Sequence, residues 1–174
     1  MKFIVRFAGI FLLASGAVAH PHTDEGCETY TWNLAREFAA LEAPGKSIVA
    51  SDDAGGKKSW IATGQHYAAS LRPQPEVKFA TTPGRARNPE NAAAGLLHFR
   101  SGKAGRYRIS LSSHHWIDVV DGGRPVDSIA HEGRSGCERL HKVVEFDLPA
   151  HREITIQLSG GDRKNVSVVI TGPA

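Results

Sequence analysis

The sequence predicts a mainly β protein, an antiparallel β-sandwich of the jelly-roll or immunoglobulin-like kind with one short N-terminal α-helix. Three observations carry this. Four stretches in the second half alternate apolar and polar residues with a period of two, the pattern of strands with one face on a core and one toward water. Clusters of Gly, Pro, Asp and Asn punctuate these and several further short apolar runs. One stretch near the N-terminus has helical spacing instead.

The chain opens "MKFIVRFAGIFLLASGAVA", with Lys2 and Arg6 ahead of a short apolar run that ends in Ala17-Val18-Ala19. A charged start, an apolar middle and an A-x-A end make a secretory signal peptide over residues 1–19. The run is shorter than the roughly 20 apolar residues a spanning helix needs, so the expectation is cleavage before His20 and no transmembrane anchor afterwards. Residues 20–174 then form a single domain of the periplasm or the exterior, long enough for a real core. Removing Lys2 and Arg6 leaves 19 basic against 18 acidic side chains, a net charge of +1 rather than +3. Such a surface has no basic face for nucleic acid. The short patches "RARNPE" and "GDRKN" read as solvated loops.

After the polar "HPHTDEGCE", the stretch "TWNLAREFAALEAPG" places Leu34, Phe38 and Leu41 on one helical face. Thr31 or Asn33 can cap its start and Pro44-Gly45 ends it, giving a helix over about 32–42. Strands follow between about 47 and 171. Tyr107, Ile109 and Leu111 alternate with Arg106, Arg108 and Ser110. Val144, Phe146 and Leu148 alternate with Val143, Glu145 and Asp147. Ile154, Ile156 and Leu158 alternate with Glu153, Thr155 and Gln157, and Val166, Val168 and Ile170 with Ser167, Val169 and Thr171. Less regular candidates are "SIVAS", "HYAASLR", "EVKFA", "GLLHFR", "WIDVV" and "PVDSIA". One connection, residues 81–95, is long for a compact domain and reads as a surface loop or a functional one.

The two cysteines, Cys27 and Cys137, have no CxxC partner. In an exported protein an isolated pair forms one disulfide, here closing a loop of about 110 residues. Neither a thioredoxin-type redox site nor a thiolate zinc site is supported.

The densest run of chemistry-capable side chains is "SSHHWIDVVDGGRPVDS", residues 112–128. On a regular strand His115 shares a face with Ile117 and Val119, while Trp116, Asp118 and Val120 take the other. His114 and His115 then point to opposite sides and make a poor metal pair. Trp116 with Asp118, and His114 beside them, offers an aromatic face and a hydrogen-bond acceptor suited to a sugar or another polar ring. The competing reading packs Trp116 under the helix and bonds Asp118 to a loop backbone. A second candidate is the "HPH" that cleavage would expose. The amino group and imidazole of His20, with His22, could chelate copper as a histidine brace. An iron site would need two histidines and a carboxylate. His98, His115, His131 and His141, with Asp118, Glu132 or Glu138, supply donors, but no spacing selects three. The only HxH is His20/His22, and no GxSxG, HExxH, P-loop or GxGxxG pattern occurs.

The fragments "CETYTWNLAREFAALEA", "AAGLLHF", "GRYRISLSSHHWIDVV", "GCERLHKVVEFDLPA" and "ITIQLSG" together resemble a family of small exported bacterial proteins of unknown function, some labelled homogentisate 1,2-dioxygenase. The resemblance implies a sandwich with the Cys27–Cys137 bridge. It also implies a recurring framework that includes Trp116, Asp118, Cys137 and Lys142. The label implies an iron dioxygenase, whereas enzymes of that activity are large cytosolic cupins, and the cupin ligand pattern is missing here. A fainter likeness is to the β-sandwich modules appended to secreted bacterial proteases. The expected function is that of an envelope binding or accessory protein, engaging an envelope glycan, a small polar ligand or another envelope protein, without a resident cofactor. The alternatives are a copper- or iron-dependent oxygenase and a purely structural envelope protein.

Overall fold

A computed structural model of the chain describes residues 26–85 and 90–173. Among the described residues one α-helix, α1 (Ala35–Glu42), precedes eleven strands: β1 (Lys46–Val49), β2 (Tyr67–Ser70), β3 (Arg72–Pro73), β4 (Ala93–Arg100), β5 (Gly105–Leu111), β6 (Trp116–Asp121), β7 (Arg124–Val126), β8 (Ser128–Gly133), β9 (Lys142–Leu148), β10 (Glu153–Gly161) and β11 (Asn165–Thr171). They form a six-stranded sheet ordered β1-β2-β11-β5-β9-β8 and a five-stranded sheet ordered β3-β4-β10-β6-β7. All pairings are antiparallel except β1 with β2.

The alternation becomes a sandwich because both sheets turn their apolar faces to one core. From the five-stranded sheet come Leu97, Phe99, Ile117, Val119, Ile154, Ile156 and Leu158. From the six-stranded sheet come Tyr107, Ile109, Leu111, Phe146, Val168 and Ile170. Register aligns them in rows: Ile156 stands opposite Leu97 on one side and Val119 on the other, and Ile109 opposite Val144 and Ile170. Burying each such side chain contributes about 1.5–3 kcal/mol.

Each sheet's outer face has its own cover. Helix α1 lies over the six-stranded sheet, where Leu34, Leu140 and Val143 pack with Tyr30, Phe38 and Leu41 around the Cys27–Cys137 disulfide. The cysteine Cα atoms are 4.7 Å apart, and the bridge spans 110 residues of sequence. The helix begins three residues later than its apolar spacing predicts. The Thr31 and Trp32 amides donate instead to the Glu132 carboxylate on β8, at 2.8 and 3.1 Å, which ties those residues to the sheet edge. Asn33 Oδ1 accepts from the Ala35 amide at 3.1 Å, while Leu34 occupies the cap position with no side-chain bond.

The five-stranded sheet is covered by chain that flanks β2 and β3, residues 50–61 and 74–85. "EVKFA" belongs to this cover and is not a strand. Val77 and Phe79 pack on Ala94 and Leu96 of β4, and Lys78 makes a lone bridge to Asp53. Its apolar residues match the sheet's outer face, but it has no strand to pair with along its length. Among the described residues no helix is long and apolar enough to cross a membrane.

Candidate functional site

Strand β6 turns Ile117 and Val119 into the core and leaves Trp116 and Asp118 half-buried on the opposite face, as alternation requires. The helix does not cover them, since it lies on the other sheet. Their neighbour is the end of the irregular cover, residues 80–85, held down as a strap. Gln157 on β10 is fully buried beneath it. Its Oε1 accepts from the Ala80 and Thr81 amides at 2.7 and 3.0 Å, and its Nε2 donates to the Thr81 carbonyl and hydroxyl at 3.2 Å. Gln157 stands opposite Asp118 in register, and Asp118 holds the next stretch. Asp118 Oδ2 accepts from the Gly84 amide at 3.1 Å and Oδ1 from the Trp116 indole N–H at 2.8 Å. Of the reading that packs Trp116 under the helix and bonds Asp118 to a loop backbone, the second half holds and the first does not. Both carboxylate oxygens are engaged, so Asp118 positions its neighbours.

Gly84 is where the strap comes closest. A Cβ there would lie 2.7 Å from Trp116 Nε1 and 2.8 Å from Asp118 Oδ1, separations real side chains do not tolerate. Gly84→Ala should therefore lift the strap and displace Arg85. A change of less than about 1 kcal/mol in unfolding free energy is expected, since Gly84 and Arg85 are exposed and the Gln157 bonds to Ala80 and Thr81 lie upstream, with a loss of whatever binding Arg85 supports. An unchanged Trp116 indole N–H resonance in that variant would contradict the strap's geometry.

The strap delivers Arg85 to the Trp116 ring. Its guanidinium carbon is 5.0 Å from the ring centroid, and Lys142 Nζ, from the start of β9, is 5.8 Å from it. Both lie within cation–π range. Lys142 also donates to the carbonyls of His115, at 2.9 Å, and His114, at 3.4 Å. Arg85, His114, Trp116, Lys142 and Gly160 line a hollow of about 200 Å³. Burial, and then the nearby Arg85 charge, push the Lys142 pKa below its usual range. Among the described residues neither cation has a carboxylate within 4 Å. Two like charges share a concave, partly desolvated site with no carboxylate in ion-pair contact among the described residues, an arrangement that favours an anion.

Larger hollows lie elsewhere, but most of their charges are already engaged, Arg36 by the Gly172 carbonyl and Arg108 also near Glu37. A groove of about 560 Å³ beside the β6–β7 turn contains the ion pairs Arg152–Asp121 and Lys58–Glu153. One of about 450 Å³ near the start of α1 contains Arg106 and Arg108 paired with Glu145.

The histidines separate by burial. Both precede β6, so strand alternation does not place them on opposite sides. Their rings are near-parallel with centroids 6.1 Å apart. His114 is half-exposed at the hollow, with Nε2 3.9 Å from Asp162 Oδ1. His115 is fully buried; its Nδ1 meets Ser113 Oγ at 2.7 Å and its Nε2 has no hydrogen-bond partner among the described residues. The possible iron donors do not converge. His98 lies on β4 of one sheet and His131 on β8 of the other. Glu132 is engaged by Thr31, Trp32 and Arg134, and among the described residues no three His, Cys, Asp or Glu side chains could hold a metal ion. His20 and His22, the possible copper ligands, lie outside the described residues.

Arg85, Gly84 and Gln157 were not singled out by the sequence. "RARNPE" reads as a solvated loop, and its one signal is a glycine directly before an arginine. Gln157 had a better one: with Thr155 and Ser159 it forms a polar face inside an otherwise apolar strand, which calls for buried partners. Comparison with protein-family models yields no match for this chain, and comparison with curated proteins yields none either.

Proposed function

We propose that this chain is an exported binding or accessory protein of the cell envelope that recognises an anionic ligand at the Trp116 cleft. The observation that carries this is the uncompensated pair Arg85 and Lys142 on either side of the hollow, fixed by the Trp116 ring and by the strap. Trp116 orients the cations, Asp118 orients Trp116 and Gly84, and His114 closes the rim. The ligand meets charge first, so the glycans and proteins of interest are acidic ones. Export is supported by the opening 19 residues and by a disulfide, which persists in an oxidising compartment.

Retention on immobilised polygalacturonate, a uniform polycarboxylate, tests the reading. Wild-type protein should be retained at low salt and released as salt rises. Arg85→Gln should weaken binding about tenfold, a loss of roughly 1.4 kcal/mol, with stability held within about 0.5 kcal/mol because it removes an exposed charge from a like-charged neighbour. Equal retention of Arg85→Gln and Lys142→Gln with wild type would refute the cleft as the site.

A further inference from the structure

A second, smaller hollow of about 60 Å³ shares Trp116 and Lys142 as walls with the cationic one and is completed by Ile117, Val144, Ser128 and His131. It lies between β6 of one sheet and β8 and β9 of the other. Ser128 and His131 are three residues apart on β8, a spacing that regular alternation would put on opposite faces. The register irregularity between Ser128 and Ala130 brings both to the slot. Ile117 and Val144 belong to the core, so the slot's floor is apolar. Lys142 serves both hollows as such side chains do, its stem against apolar surface and its ammonium at the polar mouth.

We propose that the anion taken at this cleft is a carboxylate joined to a short branched alkyl group, with the charge between Arg85 and Lys142 and the alkyl group in the slot beside Trp116; this rests on the anion-binding reading of the same cleft. Size sets the alkyl part. A cavity that holds benzene measures about 150 Å³, and the slot is less than half of that. A group of isopropyl size suits it better than an aromatic ring. Closeness sets the anion. Trp116 and Lys142 line both hollows, so slot and cations meet at these two side chains, and a carboxylate, bonded directly to the carbon that carries the alkyl group, puts charge and apolar group within one small ligand. The guanidinium of Arg85 presents the fork that carboxylates fill.

The test is a set of NMR titrations of the isotope-labelled protein purified after export, with acetate, isobutyrate, isobutyramide, benzoate and inorganic phosphate. Isobutyrate should bind about tenfold tighter than acetate, the gain expected from burying two methyl-sized groups, and isobutyramide should not bind. Benzoate should be no tighter than acetate. Ser128→Phe, at an exposed edge position, should fill the slot, bringing isobutyrate down to the acetate level and leaving phosphate unchanged. Equal affinity for acetate and isobutyrate, or a benzoate tighter than isobutyrate, would overturn the proposal and leave the anion site standing, whereas an amide that binds as tightly as isobutyrate would overturn both. Failure of acetate, isobutyrate and phosphate alike would overturn the anion reading itself.

Discussion

Opening the Cys27–Cys137 bridge is expected to lower the stability of the fold by about 4 kcal/mol, since a cross-link closing about 100 residues restricts the unfolded chain by roughly that much. For a domain of this size the loss corresponds to roughly 10 °C in Tm. Two structural facts point the same way. The bridge pins the segment before α1 to the stretch before β9, and Cys137 is fully buried in the cluster that seats the helix. Denaturant unfolding of the Cys27→Ala/Cys137→Ala variant would show it. The midpoint should fall and the slope m should rise, because the uncrosslinked chain exposes more surface on unfolding. A midpoint within the range of an ordinary surface substitution would mean that the two sheets hold the fold without the bridge.

Acidification should destabilise the protein through His115. Burial is the main cause that holds its pKa down, at about 4. The charges of His114 and Lys142 add to this, while the Ala93 backbone and Asp162 oppose it. The unfolded chain takes up a proton near pH 6.5 and the folded chain near pH 4. Above pH 6.5 both are neutral and the stability is intact. Between these values the unfolded state binds more protons, so stability falls as pH falls, by about 2 kcal/mol at pH 5 and about 3 kcal/mol at pH 4. Burial also pushes His98 and His141 down, so a residual slope of the same sign remains. His115→Phe keeps a ring against Gly161, which a Cβ would bring to 2.4 Å of the imidazole, and removes the titrating group. Whatever its stability at pH 7, its profile between pH 6.5 and 4 should be flatter than wild type. An equally steep profile would show that the acid sensitivity lies elsewhere.

Much of the architecture was legible because four strands follow a period of two, broken only where a second cover packs on them, as at Val143. Ile154, Ile156 and Leu158 face the core, and Thr155, Gln157 and Ser159 face the strap. The disulfide followed from a count of two cysteines. Periodicity could not say which sheet the helix covers, because an apolar helical face fits either. Val143, on the polar-facing side of its strand yet fully buried, marks the sheet that receives it. Nor could "EVKFA" be told from a strand, because a cover segment needs the same apolar residues as an edge strand. Trp116 and Asp118 were legible as a pair sharing one face. Their partners were not, because Arg85, Gly84 and Lys142 come from chain 31 or 32 residues before Trp116 and 26 residues after it, and only the register of β6 with β10 and the packing of the two sheets bring those stretches together.

The central claim is that Arg85 and Lys142 hold an anion against Trp116. It is met most directly by following the Trp116 indole N–H resonance while inorganic phosphate is added at low salt. The account predicts a saturable shift in wild type that is lost in the Arg85→Gln/Lys142→Gln double variant. A resonance that does not respond, or one that shifts equally after both cations are gone, would contradict it.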